Sequence, residues 1–118
     1  MKYLLIEYPK CSTCKKAKKF LEEHHIDYQD RHIVQDNPTK EELKHWIKES
    51  HREIKTFFNT SGNLYKELHL KDKLPLLSDE EKIDLLASDG MLVKRPLLIG
   101  ENLILSGFKE AEWQKIIK

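Results

Sequence analysis

The stretch Tyr3-Leu4-Leu5-Ile6-Glu7-Tyr8-Pro9-Lys10-Cys11-Ser12-Thr13-Cys14-Lys15-Lys16-Ala17-Lys18-Lys19-Phe20-Leu21 decides the fold class. Tyr3 to Ile6 are consecutive apolar or aromatic residues, the pattern of a strand buried on both faces. Pro9 breaks that run. From Cys14, the residues Ala17, Phe20 and Leu21 recur at three- and four-residue spacing among lysines and glutamates, which predicts an amphipathic helix. Cys11 and Cys14, the chain's only two cysteines, fall at the strand-to-helix turn. A thiol placed there meets unpaired backbone N–H groups and the positive end of the helix dipole, and both favour its thiolate.

Working outward, Ile26, Tyr28, His32 and Val34 alternate with polar residues and predict a second strand. Asp36-Asn37-Pro38 is a turn signal. Thr39 with Glu42 forms a capping box ahead of Leu43, Trp46 and Ile47, and Ile54, Phe57 and Phe58 repeat that spacing. A short helix is expected around Leu64, Leu68 and Leu70. Ser78 with Glu81 is a second capping box, opening a helix with Ile83, Leu85 and Leu86 that Gly90 ends. Leu97–Ile99 and Leu103–Leu105 flank Gly100-Glu101-Asn102 and read as an antiparallel hairpin. A last helix turns Trp113, Ile116 and Ile117 inward. The order is βαβ, a helical block, then ββα. The fold class is therefore α/β: a thioredoxin-like mixed sheet with a helical insertion between strand 2 and the C-terminal hairpin. One domain is expected over 1–118, with its core at about 1–37 and 91–118 and the insertion at about 38–90.

The charge is nearly even, 21 Lys plus Arg against 20 Asp plus Glu. No broad field would draw the chain to nucleic acid or an anionic membrane, so neither is an expected partner. No apolar run approaches the ~20 residues of a membrane span. The opening Met1–Ile6 is too short for a signal-peptide core and is cut by Glu7. The expected location is cytoplasmic, where a CxxC is more often catalytic or metal-binding than a structural disulfide.

An ordinary free thiol is only about 3% thiolate at pH 7. The helix dipole contributes about 0.3–1 kcal/mol toward ionisation, and Lys10, Lys15 and Lys16 can add to it. Cys11 is the expected nucleophile, and Cys14, one turn into the helix, the resolving thiol. Two blander readings compete. The cysteines could merely pack, or bind zinc with histidines. Against zinc, His45 and His51 lie far downstream of Cys14, and six helical residues rotate their side chains about 120° apart. No metal site is expected. Lys94-Arg95-Pro96 is the second constellation. Pro96 opens the hairpin, and a cis bond there would turn the backbone toward the CxxC loop and bring Arg95 beside the sulfur. A guanidinium so placed stabilises a thiolate or holds an oxyanion.

The chain resembles the ArsC/Spx family of thioredoxin-like proteins over nearly its full length. The residues that carry this are Pro9-Lys10-Cys11-Ser12-Thr13-Cys14-Lys15-Lys16-Ala17, Pro38-Thr39, Tyr65-Lys66-Glu67-Leu68, Leu92-Val93-Lys94-Arg95-Pro96-Leu97 and Gly107-Phe108. The resemblance implies a cis Pro96 and a reactive Cys11 paired with Arg95, with substrate held around Lys15, Arg95 and Pro96. It implies no bound cofactor, and a partner thiol reductant: glutathione with glutaredoxin, or thioredoxin. Arsenate reductases of the family hold the oxyanion with three arginines around one cysteine. Here Arg95 matches one, Asn59 stands where the second is sought, and Ser106 and Gly107 stand near the third. The Spx branch comprises regulators that bind the C-terminal domain of the RNA polymerase α subunit and sense oxidation through a CxxC. Cys11-Ser12-Thr13-Cys14 looks like that branch, but Glu49–Glu53 lacks the glycine expected in its polymerase-contacting loop. Two functions follow from the resemblance: a thiol-dependent oxidoreductase akin to glutaredoxin-coupled arsenate reductases, and a redox-sensing transcriptional regulator.

Overall fold

The computed structural model describes residues 3–117. Four strands form one mixed sheet: β1 (Tyr3–Glu7), β2 (Tyr28–His32), β3 (Leu97–Ile99) and β4 (Ile104–Ser106), in the order β2-β1-β3-β4. β1 runs parallel to β2, with Glu7 opposite His32, and antiparallel to β3, with Leu5 opposite Leu98. β3 and β4 pair antiparallel, Leu98 opposite Leu105. Because side chains alternate along a strand, this register sends Leu5, Leu98 and Leu105 to one face of the sheet. There they pack with Ala17, Phe20, Leu21 and Trp113 from α1 (Ser12–Glu23) and α6 (Glu110–Trp113). Ile6, Leu97 and Ile104 join the core on the opposite face.

That second core is built by the long segment between β2 and β3. It contains α2 (Lys40–Ser50), α3 (Asn63–Glu67), α4 (Leu70–Lys73) and α5 (Asp79–Ser88), with 3₁₀ turns at Ile54–Phe57, Leu74–Leu76 and Gly90–Leu92. Leu43, Trp46, Phe57, Tyr65, Ile83 and Leu86 are all buried there. The sheet is thus covered on both sides, the α/β arrangement of a thioredoxin-like fold. No helix among the described residues is long and apolar enough to cross a membrane.

Both capping boxes form: Thr39 and Glu42, and Ser78 and Glu81, each satisfy one another's orphan backbone donors. Glu42 does more. Arg31 grips it with two bonds, Nη1 to Oε2 at 2.7 Å and Nη2 to Oε1 at 2.8 Å. The Arg31 hydrogen bonds, helped by the Thr39 amide and opposed by partial burial, hold the Glu42 carboxyl down at about 2. A carboxylate depressed in the fold stabilises it above its ordinary value, and that stabilisation is lost as pH falls toward the folded value. Glu42→Gln is therefore expected to cost about 1–2 kcal/mol at pH 7, a charge-assisted pair discounted for partial exposure. The difference from wild type should shrink between about pH 4.5 and 2. Urea unfolding at both ends of that range measures it, and a pH-independent difference would refute the assignment.

Several local expectations need correction. The second strand stops at His32, whose Nδ1 accepts the Val34 and Gln35 amides, each at 3.1 Å, so the chain turns there. Ile33, not Val34, enters the core, and Val34 is 40% exposed. The single helix expected near Leu64–Leu70 is two, split where His69 takes a left-handed conformation with φ 54°. Leu68 is consequently left 37% exposed. Gly90 does not end α5 by a left-handed turn. Asp89 is extended there, and its Oδ1 accepts the Met91 amide at 2.9 Å. Gly90 is needed for close approach instead, since a Cβ would lie 2.1 Å from the Ile33 carbonyl oxygen. The hairpin's second strand begins at Ile104, one residue later than expected, and Ile116 and Ile117 are only half-buried.

Candidate active site

Cys11 is the N-cap of α1, in extended conformation with φ −86° and ψ 119°. Its amide donates to the Tyr8 carbonyl at 3.0 Å and its carbonyl accepts the Lys15 amide at 3.1 Å, so the turn from β1 delivers it to the helix mouth. The Cys11 sulfur accepts the Cys14 amide at 3.4 Å, occupying the place a serine or aspartate oxygen usually takes. No acidic side chain lies in the first turn of α1 to offset the positive end of the dipole from within the helix. Cys11 is half-buried and Cys14 is fully buried. Burial, with the Cys11 hydrogen bond next, pushes the Cys14 thiol up to about 12. The two sulfurs are chemically distinct before anything binds.

Arg95 and Cys11 line the same cleft, of about 700 Å³. The Arg95–Pro96 bond is cis, as expected. The guanidinium lies 5.3 Å from the Tyr8 ring centre, a cation–π contact to the same turn that presents Cys11. Its Nε and Nη1 are buried and have no hydrogen-bond partner among the described residues. Buried guanidinium donors without an acceptor are costly, and an anion in the cleft would satisfy them. Lys94 and Lys109 line the cleft too, against one acid, Glu67, so its walls are net positive.

Not every expected residue is here. Lys15 is exposed on α1 and Pro96 is buried, and neither lines the cleft. The other two arginines are committed elsewhere, Arg31 to Glu42 and Arg52 to Glu112 at 2.7 Å. Asn59 does line the cleft, where its Oδ1 accepts from Ser61 at 3.3 Å. Ser106 and Gly107 form another part of the wall. Gly107 has φ +75°, its amide donates to the Pro96 carbonyl at 2.8 Å, and its carbonyl accepts the Trp113 indole N–H at 3.1 Å. Lys94 lies inside a quoted motif and Lys109 directly follows one, yet neither was assigned to the site, because position in the chain does not say which way a side chain turns. Among the described residues, no three His, Cys, Asp or Glu side chains gather as metal ligands.

A sequence profile of the ArsC family matches residues 6–116. The YusI protein of Bacillus subtilis is 51% identical over 108 residues, 92% of each chain. The regulatory protein MgsR of the same organism is 30% identical over 111 residues, covering 94% of this chain and 86% of its own. Among solved structures, a possible arsenate reductase from Streptococcus mutans is 44% identical with a TM-score of 0.87, covering 95% of this chain and 97% of its own.

Proposed function

From the premise that the chain belongs to the ArsC family, we propose that it is a cytoplasmic thiol-dependent oxidoreductase for anionic disulfide or oxyanion substrates. The observation that carries this reading is the shared cleft of Cys11, at a helix N-cap, and Arg95, whose Nε and Nη1 lack acceptors. In the disulfide reaction the Cys11 thiolate attacks one substrate sulfur, and the S–S bond breaks with its electron pair leaving on the other sulfur. Cys14 then attacks Cys11, closing the Cys11–Cys14 bond and releasing the second substrate thiolate. An external thiol, glutathione with glutaredoxin or else thioredoxin, reduces that bond and completes the cycle. Arg95 holds the substrate's negative charge, and Lys94 and Lys109 add to the attraction.

Arsenate is a poorer fit than an anionic disulfide. A site with one arginine in place of three forgoes two charge-assisted contacts, each worth about 1.5–3 kcal/mol. Glutaredoxin-coupled NADPH oxidation with arsenate and with glutathione mixed disulfides tests the reading. Turnover is expected with the disulfides and little with arsenate. Arg95→Lys, which keeps the charge but loses the planar fork, should lower kcat/KM by about 10–100-fold, equivalent to one such contact. No turnover of any substrate by the wild-type protein would remove the enzymatic reading.

A second reading has its own support in the 30% identity to a regulatory protein. In it, the Cys11–Cys14 bond switches affinity for the C-terminal domain of the RNA polymerase α subunit. Capture of that domain by one redox form only would favour this reading, and capture by neither would end it.

A further inference from the structure

The oxidoreductase reading leaves one step without a proton acceptor. Cys14 must ionise to attack the mixed disulfide on Cys11, yet its sulfur is fully buried. On β1, residues Tyr3, Leu5 and Glu7 alternate onto the face covered by α1, and Leu5 packs there against Ala17 and Leu21. Glu7, 3% exposed, is one of only two buried polar residues among the described ones. Cys14 and Lys18 lie four apart on α1 and so share one face. Lys18 Nζ bonds the Glu7 carboxylate at 3.2 Å and Asp30 at 2.9 Å. Asp30 sits opposite Leu5 in the parallel register, which puts it on the same face as Glu7 and at the sheet edge. Two carboxylates therefore share one ammonium directly beneath the CxxC helix, with Glu7 sealed and Asp30 open to solvent.

We propose that Glu7 is the proton acceptor for Cys14 in the resolving step, with Lys18 and Asp30 positioning it and passing the proton to solvent. The proton leaves the Cys14 sulfur for the Glu7 carboxylate, directly or through one water. The Cys14 thiolate then forms its bond to Cys11 Sγ, and the bond between Cys11 and the substrate sulfur breaks, its electron pair departing as thiolate. Both cysteines are oxidised and the substrate sulfur is reduced. Uptake of a proton neutralises a cluster of net charge −1, so the transfer reduces buried charge at Glu7. Burial, then the Asp30 contact, already raise the Glu7 carboxyl above its ordinary value, and Glu7 in turn contributes to the raised Cys14 thiol. The groups facing Glu7 are Cys14 and Lys18 from α1 and Asp30 and His32 from β2, while β3 presents only leucines and isoleucine.

The inference rests on the oxidoreductase reading, and one experiment separates the two. With 5,5′-dithiobis(2-nitrobenzoate), attack by Cys11 releases one coloured thiolate in a concentration-dependent phase. Resolution by Cys14 releases a second, independent of reagent concentration. Glu7→Gln is expected to leave the first release within twofold and to slow the second at least tenfold. Its second phase should rise tenfold per pH unit with Cys14 ionisation, without the wild-type inflection at lower pH. Lys18→Met, a separate variant that leaves Glu7 in place, should move that inflection to higher pH. A second phase unchanged in rate and pH profile in either soluble variant overturns the role of Glu7. A wild-type protein without the first release overturns the oxidoreductase reading and this inference together.

Discussion

Replacing Cys11 by serine is expected to lower the rate of labelling by a thiol-specific reagent at pH 7 by about 10³-fold or more. The remaining thiol is Cys14, which burial holds at about 12. At pH 7 such a thiol is ionised to only about one part in 10⁵, against about 3% for an ordinary one. Steric shielding of a fully buried sulfur lowers the rate further. Residual labelling of the Cys11→Ser protein should therefore climb about tenfold per pH unit between pH 7 and 11. The complementary Cys14→Ser variant should label as fast as wild type and accumulate a mixed disulfide on Cys11, visible by mass spectrometry. Equal labelling of wild type and Cys11→Ser would reverse the assignment of nucleophile and resolver, since only Cys11 has access to the cleft.

The largest stability effect is expected at Trp113, which is fully buried between α1 and the sheet. Its ring meets Phe108 edge-on at 5.0 Å and Phe20 at 6.1 Å. Truncation to alanine should cost about 3–5 kcal/mol for the cavity alone. Loss of the indole N–H also leaves the buried Gly107 carbonyl without its donor, worth about another 1–3 kcal/mol. Against a typical total of about 5–15 kcal/mol, Trp113→Ala is expected to be largely unfolded at 37 °C. Trp113→Phe keeps much of the ring and loses the hydrogen bond, so it should fall between the two. Guanidinium unfolding of the three proteins checks this order. A midpoint for Trp113→Ala within 1 kcal/mol of wild type would mean that α6 is not part of the core. The same contact has a functional side: Gly107 belongs to the cleft wall, so looser packing at Trp113 should also reduce the rate of Cys11 modification by anionic disulfides.

The legible parts of this protein share one property: their physics is local. A capping box needs four consecutive positions, and both were readable and both form. The CxxC at the helix mouth needed only the end of one periodic pattern and the start of another. The errors fall where a distant contact, or a side chain bonding nearby backbone, overrode the periodic pattern. Gly90 looked like a helix terminator, but its missing side chain makes room for the Ile33 backbone, more than fifty residues away in the chain. Val34 continued an alternation that the His32 side chain cuts short by capturing two amides. Glu7 read as an interruption in an apolar run. Only the register of β1 against β2, with α1 laid across them, reveals a carboxylate enclosed with Lys18 and Asp30.

By itself the sequence determined the order of elements, the α/β class, and the difference between a capping Cys11 and an interior Cys14. Periodicity and helix-end chemistry are properties of neighbours along the chain, so they survive without coordinates. Tertiary structure alone decided which further cations share the cleft with Cys11 and Arg95: Lys94 and Lys109 rather than Lys15, with Arg31 and Arg52 spent on Glu42 and Glu112. Which way a long charged side chain turns depends on partners brought together from remote segments, and the position of a residue in the chain carries no record of them.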